Sequence, residues 1–381
     1  MLSEEHLAFQ ASAERWVRGV VRPALRTVNQ DSVMSRADEE SFYRRIDEYG
    51  FASELPRGDD GQPDWTAYWL MLEQLAQASA SIALGLNHRL VHAEFLRRRM
   101  SAAQLEIFGK YLRDGQSVAG AISEPGGGSN PREMRTTARR EGDHWVINGR
   151  KMWISSGTHA DAAMVTCRTK QAGQPDRLAS FFVERGQGWE ARHIPMMGLT
   201  LNPLSEIVFA DVTVPAIAGI KGGSDAMEFA KEIFLYGRML VATLGVGLAQ
   251  AALDAALVCA GTREQYGRKL GGFQLIQRLL ANMATELDCG RLLLYRAMQS
   301  MVASNPSRRL HASMAKMYNS EMAVRATSAA VQIHGAMGLA TEAGIERLFR
   351  DARMLTIPDG TTQIQELIIG RELTGLNALR G

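Results

Sequence analysis

The sequence predicts an α+β fold, mostly α, with a small β domain between two helical ones. Three observations predict it. Apolar residues recur at helical spacing up to about residue 118. The texture changes near 119 to short apolar or alternating runs between turns, and from about 224 long stretches rich in Ala, Leu and Met return. The domains are expected at 1–118, 119–222 and 223–381. A chain of 381 residues is longer than one hydrophobic core usually serves, so two or three domains are expected on length alone.

The chain opens with "MLSEEHLAFQASAERWVRGVV", which has two early glutamates and amphipathic spacing. It lacks the basic flank and apolar run of a signal peptide. "WTAYWLMLEQLAQAS" at 65–79 sets Trp69, Leu70, Leu72 and Leu75 at helical spacings, after a loop punctuated by Pro and Gly. The β domain is read from "HWVINGRKMWISSG", "DAAMVTCRT", "ASFFVERG" and "SEIVFADVTVP", with "ING" and "ERGQG" as turns. "MLVATLGVGLAQAALDAALVCAGT" is almost all apolar and small, so that helix is expected to be buried on several sides of a bundle or to meet another subunit.

Apolar residues make up 46% and charged residues 22%, and the net charge is +2, which gives no general pull toward nucleic acid or an anionic membrane. "LRRRM" at 96–100 reads as a solvated helix face. Cys167, Cys259 and Cys289 match no metal or disulfide pattern, which fits a reducing compartment. No apolar stretch reaches the roughly 18 residues of a membrane span. A cytoplasmic protein is expected, with no internal repeat.

Four segments could carry chemistry. "AISEPGGGSNPREMRTT" (121–137) has three consecutive glycines after a proline. Such a run lets backbone N–H groups approach a phosphate or flat ring, although alone it reads as a surface loop. No strand–GxGxxG–helix unit or Walker lysine surrounds it. In "NGRKMWISSG" (148–157), strand alternation would put Trp153 and Ser155 on one face, suited to an aromatic cofactor or to a β core. "AGTREQYGRKLGGFQLIQ" (260–277) sets Arg263 and Arg268 around Tyr266 and Gly267, which suits phosphate binding or a solvated connection. In the segment 331–372, Gly335 and Gly338 break a helical pattern. Further on, "TIPDGTTQIQE" puts Asp359 before Gly360, Thr361 and Thr362, so it is either a helix cap or a base.

In this order the segments resemble the acyl-CoA dehydrogenase family, whose phrases look like "TEPGAGSD", "KxWITNG", "RxQFGxxxxxxQ" and "QxxGGxG…RDxxxxxIYEGTxxIQ". Here they stand as "SEPGGGSN", "RKMWISSG", "REQYGRKLGGFQ" and "QIHGAMG…RDARMLTIPDGTTQIQ", over about 120 to 375. The resemblance implies an N-terminal helical domain, a central β domain, a C-terminal four-helix bundle and non-covalent FAD. It also implies a homo-oligomer, usually a tetramer built as a pair of dimers. Ile122, Ser123, Gly128 and Ser129 would line the flavin and pyrophosphate, with Trp153 on the isoalloxazine and Ser155 near its N5. Arg263, Tyr266 and Gln274 would reach a neighbouring subunit's FAD with Gln332 and Gly335, and Thr361 and Gln363 would complete the site. Ser129, Arg238 and Gly360 would meet the substrate.

Asp359 stands where the family often has a glutamate before "GT", and it would take the α-proton of an acyl thioester. Some relatives carry the base on the bundle helix just before its arginine, where this chain has Gly237. Asp is one methylene shorter than Glu, and a retreat of roughly 1 Å can change a rate about a hundredfold. Pro358 replaces a frequent Tyr. "MGLTLNPLSE" departs from "MGxRxSxT", Leu235 replaces an aspartate that touches pantetheine in some relatives, and Asn130 replaces the aspartate closing the glycine loop. "ELPRGDDGQPDW" is short beside the usual "EYGGxG" loop.

The expected activity is dehydrogenation of a short, branched or unusual acyl-CoA, with electron-transferring flavoprotein as acceptor. The alternatives are an acyl or aminoacyl carrier-protein dehydrogenase, a flavin oxidase or monooxygenase resembling nitroalkane oxidase, and a non-enzymatic flavoprotein.

Overall fold

The computed structural model describes residues 2–48, 50–113, 116–173, 175–220 and 226–378. The expected boundary between 222 and 223 lies outside them. The first region holds α1 (Glu4–Trp16), α2 (Arg22–Leu25), α3 (Arg36–Ile46), α4 (Trp65–Ala78), α5 (Ala80–Arg99) and α6 (Ala102–Phe108). Polar side chains start several of these helices by accepting exposed backbone N–H groups: Ser3, Ser35, Asp64 and Ser79, and Ser101 in a capping box with Gln104. The helix expected within 65–79 is α4.

The sheet follows, with β1 (Val118–Ala121), β2 (Thr137–Glu141), β3 (His144–Ser155), β4 (Ala162–Lys170), β5 (Arg177–Glu184), β6 (Glu190–Ile194), β7 (Leu204–Pro215) and β8 (Gly219–Ile220). Among the described residues its order is β6-β7-β3-β2-β4-β5-β8, with β1 parallel beside β4. β3 and β7 are its long antiparallel spine, and their register shifts between Lys151 and Ile154. The helical end comprises α7 (Ala226–Thr262), the short hairpin β9 (Glu264–Gln265) and β10 (Arg268–Lys269), α8 (Gln274–Val302), α9 (Arg308–His334), α10 (Ile345–Met354) and α11 (Thr362–Thr374). α7 packs along α9, α8 and α4, while α10 and α11 pack on α9.

One apolar cluster runs through all three regions, from Ala13 and Trp16 through Ile147 and Phe182 to Leu244 and Leu355. α7 is its axis. Contrary to the expectation of no span-length apolar stretch, Phe229–Thr262 is long and apolar enough to cross a bilayer by length and composition. Most of its apolar window is buried inside the protein, so the bundle interior accounts for that composition.

The small residues of α7 let neighbouring backbones approach. A Cβ at Gly245 would lie 2.7 Å from the Asn319 carbonyl oxygen, and one at Gly247 2.6 Å from Ala76 Cβ. Asn319 is fully buried and donates to the carbonyls of Ala242 (3.3 Å) and Gly290 (3.1 Å), tying α9 to α7 and α8. Gly247→Leu should therefore lower unfolding free energy by about 1–3 kcal/mol through overpacking in denaturant titration. Gly261→Ala, where an added Cβ meets nothing within 4 Å, should leave it unchanged or slightly higher.

Candidate active site

The turn 356–360 sits where α7, α9 and α11 meet. Asp359 does not cap α11. Thr361 does, its side chain accepting from the Ile364 N–H at 3.4 Å. Asp359 instead takes a left-handed backbone with φ 55°, a conformation that costs a residue other than glycine on the order of 1 kcal/mol or more. Its carboxylate packs against the α7 backbone at Gly237. A Cβ added at Gly237 would collide with it, lying 2.7 Å from Oδ2. Tyr236 fixes that point of α7, with its ring edge-on to Trp65 at 4.6 Å and to Phe95 at 4.9 Å.

Burial pushes the Asp359 carboxyl up to about 6, against the pull of the Arg238 and Lys316 charges. Arg238, the next residue on α7, is buried. Burial is the main force bringing its guanidinium down to about 10, with Arg309 adding to it and Asp359 and Glu372 opposing. Its Nε has no hydrogen-bond partner among the described residues. Lys316 of α9 is fully buried and pushed down to about 8 by burial, with Asp359 and Glu321 pulling the other way. Its ammonium donates to the carbonyls of Thr356 (3.1 Å) and Gly360 (2.8 Å). Gln365, also fully buried, donates to the carbonyls of Asp359 (3.0 Å) and Gly360 (2.8 Å).

The glycine loop is anchored by a second buried group. Glu124 accepts from the backbone N–H groups of Arg135 (2.6 Å) and Thr136 (2.9 Å), which closes the loop over residues 124–136. Lys151 of β3, fully buried, donates to Glu124 (3.0 Å) and to the Ile122 carbonyl (2.9 Å). Burial favours the neutral form of Glu124, but these hydrogen bonds and the Lys151 charge outweigh it and hold the carboxyl below its usual range. Gly128 and Ser129 stay exposed at the tip, while Ile122 is buried and Ser123 partly so. The Met152 N–H donates to the Ser123 carbonyl at 3.0 Å, setting the loop beside Trp153.

Trp153 sits at the register shift of β3 with φ 64° and leaves 48% of its surface exposed. This bulge interrupts the alternation on which the same-face expectation for Trp153 and Ser155 rested. Ser155 is partly buried at the strand's end.

The remaining sequence-predicted cofactor residues form another set. Arg263 donates to the His334 carbonyl at 2.7 Å and lies against Gly335, so the segments around 263 and 335 do meet. They border an open groove of about 620 Å³ lined by Ala251, Ala255, Val258, Cys259 and Met337. Tyr266 stands at the hairpin tip, 95% exposed with φ 50°, and Gln274 and Gln332 are exposed. Thr361 is partly buried and Gln363 exposed at the start of α11.

An exposed indole, an exposed glycine backbone and a guanidinium at an open groove are the chemistry that a flat ring joined to a pyrophosphate needs. Sequence reasoning missed Lys316, Gln365 and the Glu124–Lys151 pair. Gln365 was in plain view two residues from Gln363. Lys316 falls on the buried stripe of α9 with Ala312, Asn319 and Ala323, where a lysine is anomalous.

Family models described as "Acyl-CoA dehydrogenase, middle domain" and "Acyl-CoA dehydrogenase, C-terminal domain" match residues 119–212 and 226–374. The caffeyl-CoA reductase–Etf complex subunit CarC of Acetobacterium woodii is 34% identical over 329 residues, covering 84% of this chain and 85% of that protein. Butyryl-CoA dehydrogenase from Megasphaera elsdenii superposes with a TM-score of 0.86 at 27% identity, over 98% of this chain and 99% of that one. The FAD complex of PigA superposes with a TM-score of 0.88 at 26% identity, over 100% of this chain and 99% of that one.

The contact at Gly237 makes a sharp prediction. Gly237→Ala should displace the Asp359 carboxylate and lower turnover about a hundredfold while FAD remains bound, as read by steady-state kinetics and flavin content.

Proposed function

Since the chain belongs to the acyl-CoA dehydrogenase family, and is thus a FAD-dependent oxidoreductase acting on acyl-CoA thioesters, we propose that Asp359 is the base that takes the α-proton. The observation that carries this reading is the desolvated Asp359 carboxylate held against Gly237, at the position where the family motif places its acid. A carboxyl that titrates near 6 is ionised at neutral pH and is a stronger base than an exposed aspartate. The α-proton passes to Asp359 and the β-hydride leaves with its electron pair, giving an α,β-unsaturated thioester. Bound FAD supplies the hydride acceptor. Ile122, Ser123, Gly128, Ser129, Trp153, Ser155, Thr361 and Gln363 would hold its flavin end, and Ser129, Arg238 and Gly360 would meet the thioester.

The other set, Arg263, Tyr266, Gln274, Gln332 and Gly335, would serve the FAD of a neighbouring subunit in a homotetramer or dimer. The exposure of Tyr266 at a projecting hairpin tip supports that assignment. The acyl group is short, branched or otherwise unusual, in keeping with an aspartate and Pro358 where the family often has a glutamate and a tyrosine. Electron-transferring flavoprotein takes the electrons onward, a reading supported by the relative named as an Etf complex subunit.

Anaerobic mixing with a panel of saturated acyl-CoAs tests the base. The flavin should bleach with one or more short or branched thioesters, and Asp359→Asn should lose this while still binding FAD. Bleaching that persists in Asp359→Asn overturns the assignment, and rapid reoxidation by O₂ alone would place the chain among oxidases.

The pH dependence follows from the direction of the shift. The base works deprotonated, so kcat/KM should be flat above about 7 and fall tenfold per unit below about 6.

A further inference from the structure

We infer that Lys316 and Gln365 are positioning residues for Asp359, clamping the 356–360 turn from two helices so that its carboxylate stays beside Gly237. The inference rests on Asp359 being the base. Two fully buried side chains, one from α9 and one from α11, send four hydrogen bonds to three carbonyls of one five-residue turn: Thr356, Asp359 and Gly360. Gly360 accepts from both. A turn whose aspartate holds a left-handed backbone would relax if those carbonyls were released, and the carboxylate would swing with it. A buried lysine bonded only to carbonyls is an expensive way to hold a turn unless its charge is also used.

The charge is used. The charges that act on the Asp359 carboxylate against burial are those of Arg238 from α7 and Lys316 from α9, whose ammonium lies on the carbonyls of the same turn. Beyond them lie Glu321, which accepts from Thr362 at 2.6 Å, and the Arg309–Glu372 pair of α9 and α11 at 3.3 Å. Lys316 thus acts on the base twice, fixing its backbone and keeping the carboxylate ionised against burial. Gln365 acts only through the backbone.

Lys316→Met, Gln365→Met, Lys316→Arg and Asp359→Asn, all as FAD-loaded protein, separate these roles. The readouts are the kcat/KM pH profile, exchange of the substrate α-hydrogen for deuterium in heavy water by mass spectrometry, and thermal melting. Lys316→Met should slow exchange about tenfold or more and move the acid limb up by about one pH unit, because a cation near the carboxylate is gone. Gln365→Met should slow exchange comparably and leave the limb in place, and Lys316→Arg should return the limb toward wild type. If Lys316→Met does not fold, Gln365→Met decides, and a wild-type exchange rate there overturns the clamp. If Asp359→Asn loses exchange while both methionine variants keep the wild-type rate and limb, the positioning role alone is overturned. If Asp359→Asn keeps exchange, the base assignment fails and the clamp with it.

Discussion

The contact between the Asp359 carboxylate and the bare backbone of α7 at Gly237 is the constraint around which the helical end is arranged. A carboxylate can approach a helix that closely only where the helix lacks a side chain, and it can remain charged there only beside cations. The charges of Arg238 and Lys316 oppose the effect of burial on it. Packing and acidity are therefore set by one cluster. The ring of Tyr236 among Trp65 and Phe95 holds α7 at the one place where a small shift would alter both.

The glycine loop depends on a comparable device. Glu124 gathers the two ends of the glycine loop, and Lys151 ties it to the strand that presents Trp153. The loop tip can stay exposed because its stem is fixed by buried ionic hydrogen bonds. Both halves of the site thus pair an open backbone with a buried lysine behind it.

Much of this was legible in the sequence. The change of period at about 119, the small apolar residues of α7 and the glycine breaks at 335 and 338 are local signals, and each reports a local structural fact. The absence of a base at Gly237 was visible as a residue, but its meaning as space for Asp359 was not, because it depends on two segments more than a hundred residues apart. A bulge interrupts strand alternation at Trp153, and a bulge cannot be read from residue type alone. The same limit hid Lys316 and Gln365: nothing in a chain says which buried carbonyl a buried donor will find. The apolar length of α7 exceeded what the sequence reading allowed, and the surrounding helices explain it.

The single apolar cluster threading all three regions bears on how such a protein can change over generations. Where modules have separate interiors, they can be traded between genes. Here the sheet and both helical regions share one interior, so a transplanted region would arrive without the packing partners that the other regions supply. Change in such a chain is easier by substitution in place, within a single turn, than by exchange of a whole region.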